Sequence, residues 1–428
     1  MRFLFACFIS LCAGLVQAGP QIQHWIAPTG VKVYFIESRT LPILDVKIDF
    51  HAGGVHGPAD KAGLASLTNS LLDAGLPDMD EEQISARLVD LGAKMSNAAD
   101  HDAASVTLRT LSSEEEKTGA LKLLRAVLSA STFPEAVLAR EKTRSIEALK
   151  DAETRPDSIA AKRFAAAIYG DHPYGRLATP ESVAKITRDD LVAFHKARYV
   201  ANGAVVSIIG AVSRSEAEAI AIQLTEALPQ GSAPAPVPAT ALPKQATLKI
   251  AHPATQSHIH VGLPAIERAH PDYFALIVGN YTLGGGGFVS RLMQEVREKR
   301  GYAYSVSSYF APRLAAGPFD IGLQTKREQA QDALKVVDQV LGAFLDQGPT
   351  AAELSAAKKN LIDGQALRLD SNAKLLGALS SIGFYNLPLD YLDQFPRKIG
   401  AVTRDDVKAA FQRHVKPGNL VTVIVAAD

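Results

Sequence analysis

The sequence predicts an α+β protein of two similar domains, each a mostly antiparallel sheet covered by helices on one face. Three observations lead to this fold class. Stretches that alternate apolar and polar residues, such as 42–50, lie before and between longer stretches with helical periodicity. A proline-rich segment divides the chain near its middle, and short motifs recur on both sides of it. Strands and helices do not alternate strictly, which argues against a parallel α/β sheet.

The N-terminus has the features of a secretory signal peptide, residues 1–18. Arg2 supplies a positive charge, an almost continuous apolar run follows, and Ala18 offers a small residue for cleavage. The run is shorter than the roughly 20 residues that a membrane-spanning helix needs. Cys7 and Cys12 are the only cysteines, so the cleaved chain has no thiol for a disulfide or a metal site. We therefore expect a secreted, periplasmic protein.

The overall composition excludes several classes of partner. The chain has 45 basic and 45 acidic residues, so no surface for nucleic acid or another polyanion is indicated. Its apolar fraction of 47% is ordinary for a chain with a full core. No segment after the N-terminus is long and apolar enough to cross a membrane.

A linker is predicted at residues 229–243, which are rich in proline and alanine. Proline removes backbone donors and fixes φ, so this segment should run extended. It separates an N-terminal domain, 19–228, from a C-terminal domain, 244–428.

The two domains share sequence motifs that indicate a duplication. A Thr-Arg-Asp-Asp motif begins at Thr187 and again at Thr403, 216 residues later. In each copy the threonine and the acid three residues on predict a capping box. Thr132 and Thr350, 218 residues apart, likewise precede long helices that we expect them to cap. Two matches at nearly one offset predict whole-domain repeats related by a pseudo-twofold axis.

The first domain should open with a β-hairpin formed by residues 31–36 and 42–50, the second of which alternates with period two. A further strand is predicted near 105–108. Helices are predicted near 61–74, 81–92, 114–130, 134–150 and 157–169.

The predicted helix at 61–74 carries a leucine stripe. Leu64, Leu67 and Leu71 recur at positions i, i+3 and i+7, which gives the helix one buried face. Gly75 should end it. Small polar residues stand between the leucines, and by composition alone this is a core helix.

The strongest motif lies at residues 283–306, where a glycine run enters a charged helix. Arg297 stands in that helix and Tyr304 follows seven residues later. No Lys-Ser/Thr follows the glycines, so a phosphate-binding P-loop is excluded. Considered alone, Arg297 suggests a solvated helix face and Tyr304 a half-buried strand residue. The glycines are Gly284, Gly285, Gly286 and Gly287.

This motif resembles the second-domain signature of the pitrilysin/insulinase/mitochondrial processing peptidase family of inverzincin metallopeptidases. That signature is roughly G-G-G-x-x-S-R-L-x-x-x-[IVL]-R-E-x-x-G-L-x-Y, and only Tyr302 departs from it. The resemblance covers nearly the whole chain after residue 18. It implies two peptidase-like domains that face each other across a cavity in which extended peptides add to a sheet edge.

The helix at 61–74 resembles the family's inverted zinc helix H-x-x-E-H with every chemical residue replaced. Ser66 and Ser70 stand at the histidine positions and Asn69 at the position of the catalytic glutamate. The third ligand falls on Ala148, with Glu147 beside it. Hydroxyls are poor zinc ligands and an amide cannot act as a general base. We therefore expect no metal and no cofactor on this chain.

By resemblance, Arg297 and Tyr304 hold the substrate backbone and stabilise the oxyanion at a zinc centre, and here that centre must belong to a partner. The expected partner is a homologous zinc-bearing subunit in a heterodimer, although a homodimer is also possible. The four glycines either form a substrate-handling flap, as in the non-catalytic subunit of the mitochondrial processing peptidase, or a plain helix-entry turn.

Three alternatives accompany this reading. The chain could be a peptide-binding or structural scaffold, as are the core proteins of the respiratory cytochrome bc complex, which share the fold. A self-sufficient serine hydrolase is disfavoured because no G-x-S-x-G elbow is present. His258 and His260 lie on one face of a predicted strand, where sheet histidines are commoner than metal ligands.

Overall fold

The computed structural model describes residues 21–426, so the predicted signal peptide lies outside the described part of the chain. A six-stranded sheet in the first half and a five-stranded sheet in the second carry the helices. Each sheet is mostly antiparallel with one parallel pair. The predicted α+β fold class is therefore confirmed.

The first half contains eight strands and eight helices among the described residues. The strands are β1 Gln23–Ile26, β2 Lys32–Glu37, β3 Ile43–Phe50, β4 Gly75–Leu76, β5 Met79–Asp80, β6 Lys94–Ala99, β7 Ala104–Leu111 and β8 Val205–Gly210. The helices are α1 Leu64–Ser70, α2 Glu81–Asp90, α3 Glu114–Ala130, α4 Glu135–Ala152, α5 Pro156–Tyr169, α6 Pro180–Ala184, α7 Arg188–Arg198 and α8 Arg214–Thr225.

The second half contains five strands and seven helices among the described residues. The strands are β9 Ala246–Ile250, β10 Gln256–Ile266, β11 Ala303–Phe310, β12 Gly317–Lys326 and β13 Val421–Val425. The helices are α9 Tyr273–Asn280, α10 Ala330–Gln347, α11 Ala351–Asp363, α12 Gln365–Arg368, α13 Asn372–Phe384, α14 Tyr391–Ala401 and α15 Arg404–His414. Two π-helical segments, Tyr281–Gly285 and Met293–Glu298, follow α9.

The two sheets have the same topology. The first runs β1-β2-β8-β3-β7-β6 and the second runs β9-β13-β10-β12-β11. In each, the last strand of the half lies parallel to its first long strand and antiparallel to the next. Among the described strands of these two sheets, β1 is the one without a counterpart. This shared order is what a duplicated domain predicts.

The predicted N-terminal hairpin is wrong, although both of its strands exist. β8 lies between β2 and β3, with Val205 opposite both Lys32 and Asp49. All six residues of β8 are buried, so this apolar strand belongs in the interior of the sheet, paired along both edges. Period-two alternation identifies strands but does not decide which strands are neighbours.

The predicted caps are confirmed at three of four positions. Thr187, Thr350 and Thr403 each accept from the backbone N–H three residues on, within complete capping boxes. Thr132 does not cap α4, because that helix begins directly after Pro134. Proline suits this boundary since its fixed φ and missing N–H fit the entry to a helix.

The two halves exchange one helix each. α5 of the first half packs on β10 and β13 of the second sheet, and α13 of the second half packs on β8 and β3 of the first. Phe164 in α5 stacks on His260 with ring centroids 5.4 Å apart. Phe384 in α13 stacks on His51 at 4.5 Å. Each sheet is therefore covered partly by the other half.

Glycines permit these close approaches. A Cβ at Gly262 would lie 2.9 Å from the Phe164 ring and 1.9 Å from a backbone oxygen of β12. A Cβ at Gly383 would lie 2.5 Å from Val205. Any larger residue at these positions would push the exchanged helix off the sheet.

Residues 229–245 form neither helix nor strand. They are tethered to both halves by hydrogen bonds. The Ala201 N–H donates to the Pro229 carbonyl at 2.8 Å, and the Asn419 amide donates to the Pro243 carbonyl at 2.7 Å. None of the described helices combines the length and hydrophobicity that crossing a bilayer requires.

Candidate functional site

α1 occupies the place of the predicted helix at 61–74 but is shorter, Leu64–Ser70. It begins where Gly63 adopts a φ of 105°, which favours glycine. Ser66 and Ser70 lie one turn apart and are both exposed, whereas Asn69 is only 1% exposed. The two hydroxyls therefore face solvent and the amide faces the core.

Asn69 joins three elements inside the first domain. Its amide nitrogen donates to the Ser105 carbonyl of β7 at 3.3 Å and to the hydroxyl of Tyr199, after α7, at 3.1 Å. Burial raises the pKa of Tyr199, so the phenol stays neutral and accepts this bond. Asn69 thus has a structural role, at the position where the resemblance predicted the replaced general base.

The position of the third ligand is equally unsuited to zinc. Ala148 is exposed on α4, and so is the neighbouring Glu147. Glu141, earlier in the same helix, is held by Arg140 at 2.9 Å and by Arg144 at 2.8 Å. Two hydroxyls, an amide and a methyl group do not form a zinc site. The residues present do not fit the metal.

His258 and His260 also form no metal site. His260 Nδ1 lies 2.9 Å from the Asp320 carboxylate, and its ring stacks on Phe164. Within residues 21–426 the one group of three potential ligands is elsewhere, at His270, Asp272 and His414.

The glycine run forms a packed turn. A Cβ on any of the first three glycines would approach another atom to 2.5–2.6 Å: Gly284 meets Ser308, Gly285 meets Asn280 and Gly286 meets Tyr281. Gly287 has open space around its Cα and a φ of +62°. Each of these three positions thus has a packing reason to be glycine: Gly284 lets the turn lie against β11, and Gly285 and Gly286 let it close on Asn280 and Tyr281 at its own start. Their role in substrate binding stays a prediction.

The residues after the glycines anchor this turn. Arg291 forms a two-pronged ion pair with Glu353, at 2.8 and 2.7 Å, and also donates to the Gly348 carbonyl. The Arg291 guanidinium lowers the pKa of Glu353 to about 2. Ser290 is fully buried and donates to the Gly287 carbonyl at 2.7 Å. The Ser-Arg part of the motif is therefore structural, which sequence reasoning did not separate from its functional part.

Arg297 and Tyr304 lie beside each other in the structure. The Arg297 Cζ atom is 4.8 Å from the ring centroid of Tyr304 and 4.8 Å from that of Phe288. The guanidinium is thus held between two aromatic rings, both largely exposed: Tyr304 at 81% and Phe288 at 60%. Its nearest carboxylate is Glu298 at 3.5 Å. Phe288 is a neighbour that sequence reasoning missed.

A β-bulge presents Tyr304 to solvent. Ala303 pairs with Thr325 and Ser305 with Gln324, which leaves Tyr304 as the extra residue. Bulges of this kind redirect a side chain and often lie beside functional sites. β11 is also an edge strand, paired only with β12. Tyr304 therefore projects beside an unpaired sheet edge.

The structure does not bring the two motifs together. α1 packs against α7, β6 and β7, whereas the segment bearing Arg297 packs against α10 and β11. Among the described residues, no hydrogen bond, ion pair or ring contact joins Ser66, Asn69 or Ser70 to Arg297 or Tyr304. β6 is, like β11, an edge strand. Each motif therefore lies beside one open sheet edge of its own half.

A polar contact between the halves was not foreseen. Asp102, 1% exposed, accepts from the Tyr174 hydroxyl, from the Leu314 N–H at 2.9 Å and from the Tyr385 hydroxyl at 3.3 Å. Burial raises the pKa of Asp102. Beside it, a cavity of about 240 Å³ opens between β3, β6 and α13, with Asp49 in its wall. No local sequence pattern signals a contact between residues so far apart.

Comparison with known proteins gives the family. The profile of Insulinase (Peptidase family M16) matches residues 32–180, and that of the Peptidase M16 inactive domain matches residues 185–361. A crystal structure of a peptidase M16 inactive domain from Pseudomonas fluorescens is 40% identical with a TM-score of 0.91, over 95% of this chain and 98% of that one. This chain belongs to the M16 peptidase family. The resemblance predicted from the two motifs is confirmed.

Other known proteins are similar to this chain over their whole length or in their fold. A non-peptidase homologue, YmxG, from Helicobacter pylori is 25% identical over 99% of this chain and 98% of its own. The periplasmic protease PqqL from Escherichia coli has the same fold, with a TM-score of 0.81 at 17% identity, over 95% of this chain and 46% of that one. The match to the inactive-domain description and the likeness to a non-peptidase homologue support a non-catalytic M16 member.

Proposed function

We propose that this chain is the non-catalytic subunit of a secreted, periplasmic zinc endopeptidase. A homologous partner carrying an intact H-x-x-E-H helix binds the zinc, and this chain contributes Arg297 and Tyr304 to substrate binding and oxyanion stabilisation. One contrast carries the proposal. The metal positions of α1 are replaced within an intact helix, while the arginine–tyrosine pair is kept, adjacent and solvent-facing.

The geometry of the pair suits this role. A guanidinium is permanently charged and offers several fixed donors, and a phenol adds one more. Donors aimed at the charge that develops on a carbonyl oxygen stabilise the transition state of peptide hydrolysis. Arg297 is fixed between two rings before any substrate arrives, so little ordering is required on binding.

An open sheet edge beside Tyr304 supplies a place for the substrate. An extended peptide can pair with the free backbone groups of β11, as in other strand-addition complexes. Side chains of that peptide would then alternate toward and away from Tyr304.

The proposed location rests on two observations. Residues 1–18 have the features of a cleaved signal peptide. The similar Escherichia coli protein PqqL is periplasmic.

The test is an assay of the mixed subunits. The purified chain is combined with the H-x-x-E-H homologue from the same organism, and cleavage of an unstructured fluorogenic peptide is followed. Arg297→Ala or Tyr304→Phe should lower the rate of the mixture by about 100-fold, the usual effect of removing one oxyanion donor. Arg300→Ala is the matched control, since Arg300 lies in the same segment but pairs with Glu295. An unchanged rate with Arg297→Ala and Tyr304→Phe would refute the assisting role.

The alternative is an inactive scaffold that binds peptides or organises a complex. The contact between Arg297 and Tyr304 favours this alternative, because a cation–π contact stabilises the fold even when neither side chain binds a substrate. In that case the chain and its partner would co-purify, and the mixture would cleave no faster than the partner alone.

A further inference from the structure

A second pocket lies in the second half, away from the motif that bears Arg297. It has a volume of about 500 Å³ and opens between the loop that leads from β10 into α9 and the helices α14 and α15. Its wall contains a group of aromatic rings. Phe274 lies 5.5 Å from Tyr273 and 5.9 Å from Tyr391, measured between ring centroids.

Two cations lie over this aromatic wall. The Arg268 Cζ atom is 4.7 Å from the ring centroid of Tyr273 and 5.9 Å from that of Tyr391. The Lys398 Nζ atom is 5.2 Å from the ring centroid of Phe274. Within residues 21–426, neither cation forms an ion pair with a carboxylate, and both line the pocket.

The acids of the pocket are already engaged. Asp272 is held by both prongs of Arg413 at 2.8 Å and by His414 at 2.9 Å. Asp406 accepts from the backbone and the hydroxyl of Thr403. Neither Arg268 nor Lys398 is in ion-pair contact with these acids, and three basic against two acidic residues in the lining leave the pocket with a net positive charge.

A metal ion does not suit the nearby group of His270, Asp272 and His414. The Arg413 guanidinium occupies both oxygens of the Asp272 carboxylate. His270 Nδ1 accepts from the Asp272 N–H, so its lone pair is used. A metal ion would have to displace these contacts, whereas an anion meets two positive side chains, Arg268 and Lys398, that are not in ion pairs with the pocket's carboxylates.

We propose that this pocket binds a small organic anion through its oxyanion group, a carboxylate or a phosphate. Arg268 and Lys398 hold the oxyanion by charge-assisted hydrogen bonds, which are roughly twice as strong as neutral ones. The rings of Tyr273 and Phe274 cover the apolar part of the ligand. This site does not depend on the proposed peptidase role, and its occupancy can be measured on the isolated chain.

Isothermal titration calorimetry tests the site directly. The purified chain is titrated in low-salt Tris buffer with inorganic phosphate and, separately, with benzoate. We expect saturable binding at one site, weakened by added salt. Arg268→Gln should weaken binding at least tenfold, and Lys398→Gln about fivefold or more, since each removes one charge-assisted contact. Lys359→Gln, which removes an exposed lysine paired with Asp363, should leave binding unchanged.

The outcomes separate the two kinds of ligand. Tighter binding of benzoate than of phosphate indicates that the aromatic wall takes part, and the reverse indicates a phosphate site. Absence of saturable binding for both probes overturns the proposal. Unchanged binding by Lys398→Gln also overturns it. Lys398 is exposed, so this substitution leaves the core intact. If Arg268→Gln fails to fold, Lys398→Gln alone decides the test.

Discussion

The guanidinium of Arg297 lies against the ring of Phe288, with Cζ 4.8 Å from the ring centroid. This contact comes from a residue outside the arginine–tyrosine pair, on the turn that follows the glycines. The contact explains why a phenylalanine is exposed at position 288, because a cation–π contact restrains the Arg297 side chain. Phe288 is therefore a positioning residue for Arg297.

Replacing this ring should loosen Arg297 without unfolding the protein. We expect Phe288→Leu to lower the rate of the mixed subunits by about two- to fivefold, because an exposed cation–π contact contributes about 0.5–1 kcal/mol. Nuclear magnetic resonance of the Arg297 side-chain N–H provides an independent readout, since the ring-current shift should diminish. Phe288→Tyr keeps the ring and should behave as the wild type. An Arg297 signal that does not move in Phe288→Leu would contradict this role.

Substitutions in the glycine run test whether this segment is a packed turn or a flexible flap. Gly284→Ala would place a Cβ 2.5 Å from Ser308 and should destabilise the protein by about 1–3 kcal/mol, the usual effect of overpacking. Gly287→Ala meets no atom within 4 Å, so only its positive φ is unfavourable, by about 1–2 kcal/mol. Urea unfolding compares the two variants. Equal and negligible changes would indicate a freely moving flap.

Asn69 should matter for stability. Asn69→Ala removes two hydrogen bonds and leaves the Tyr199 hydroxyl without its donor inside the core. We expect the free energy of unfolding to fall by about 1–3 kcal/mol. Ser66→Ala and Ser70→Ala, at exposed positions of the same helix, are the controls and should change it by less than about 0.5 kcal/mol. A neutral Asn69→Ala would mean that this amide does not join α1 to the sheet.

His51 makes the contact between the halves sensitive to acid. Burial lowers the pKa of His51 to about 4, and Lys32 adds to the effect. The folded protein therefore holds the neutral imidazole, and its stability is complete above the unfolded value of about 6.5. As the pH falls from about 6.5 toward 4, the unfolded state takes up the proton first and stability is lost.

His51→Phe should remove this component while keeping the stack on Phe384. We expect the variant to gain stability relative to the wild type by about 1–2 kcal/mol more at pH 5 than at pH 7.5. Urea unfolding at the two pH values measures the difference. His56 and His101, whose pKa values burial also lowers to about 4, remain and keep part of the acid sensitivity. A difference between variant and wild type that is the same at both pH values would count against this assignment.

Local patterns in the sequence were sufficient for the elements and for the family. Three of the four capping threonines, the buried leucines of α1 and the strand β3 depend on neighbouring residues, and the structure has them. The insertion of β8 between β2 and β3 is a pairing of residues about 160 positions apart, which no local pattern encodes.

The same distinction holds in the candidate site. The motif singled out Arg297 and Tyr304, but it did not reveal that they contact each other or that Tyr304 is the extra residue of a bulge. It also did not show that Asn69 faces the core, because this depends on which side of α1 the sheet lies. Side-chain partners across elements, such as Phe288 and Tyr199, follow only from the assembled fold.

The reciprocal packing of α5 and α13 makes the polypeptide connection between the halves dispensable for holding them together. A single proteolytic nick within 229–243 should leave two fragments that stay associated and migrate as one species under native conditions. A truncation after residue 228 would instead strip α13 from β8 and leave α5 without the strands that bury it. We therefore expect that neither half folds on its own and that deletion of either one yields insoluble material.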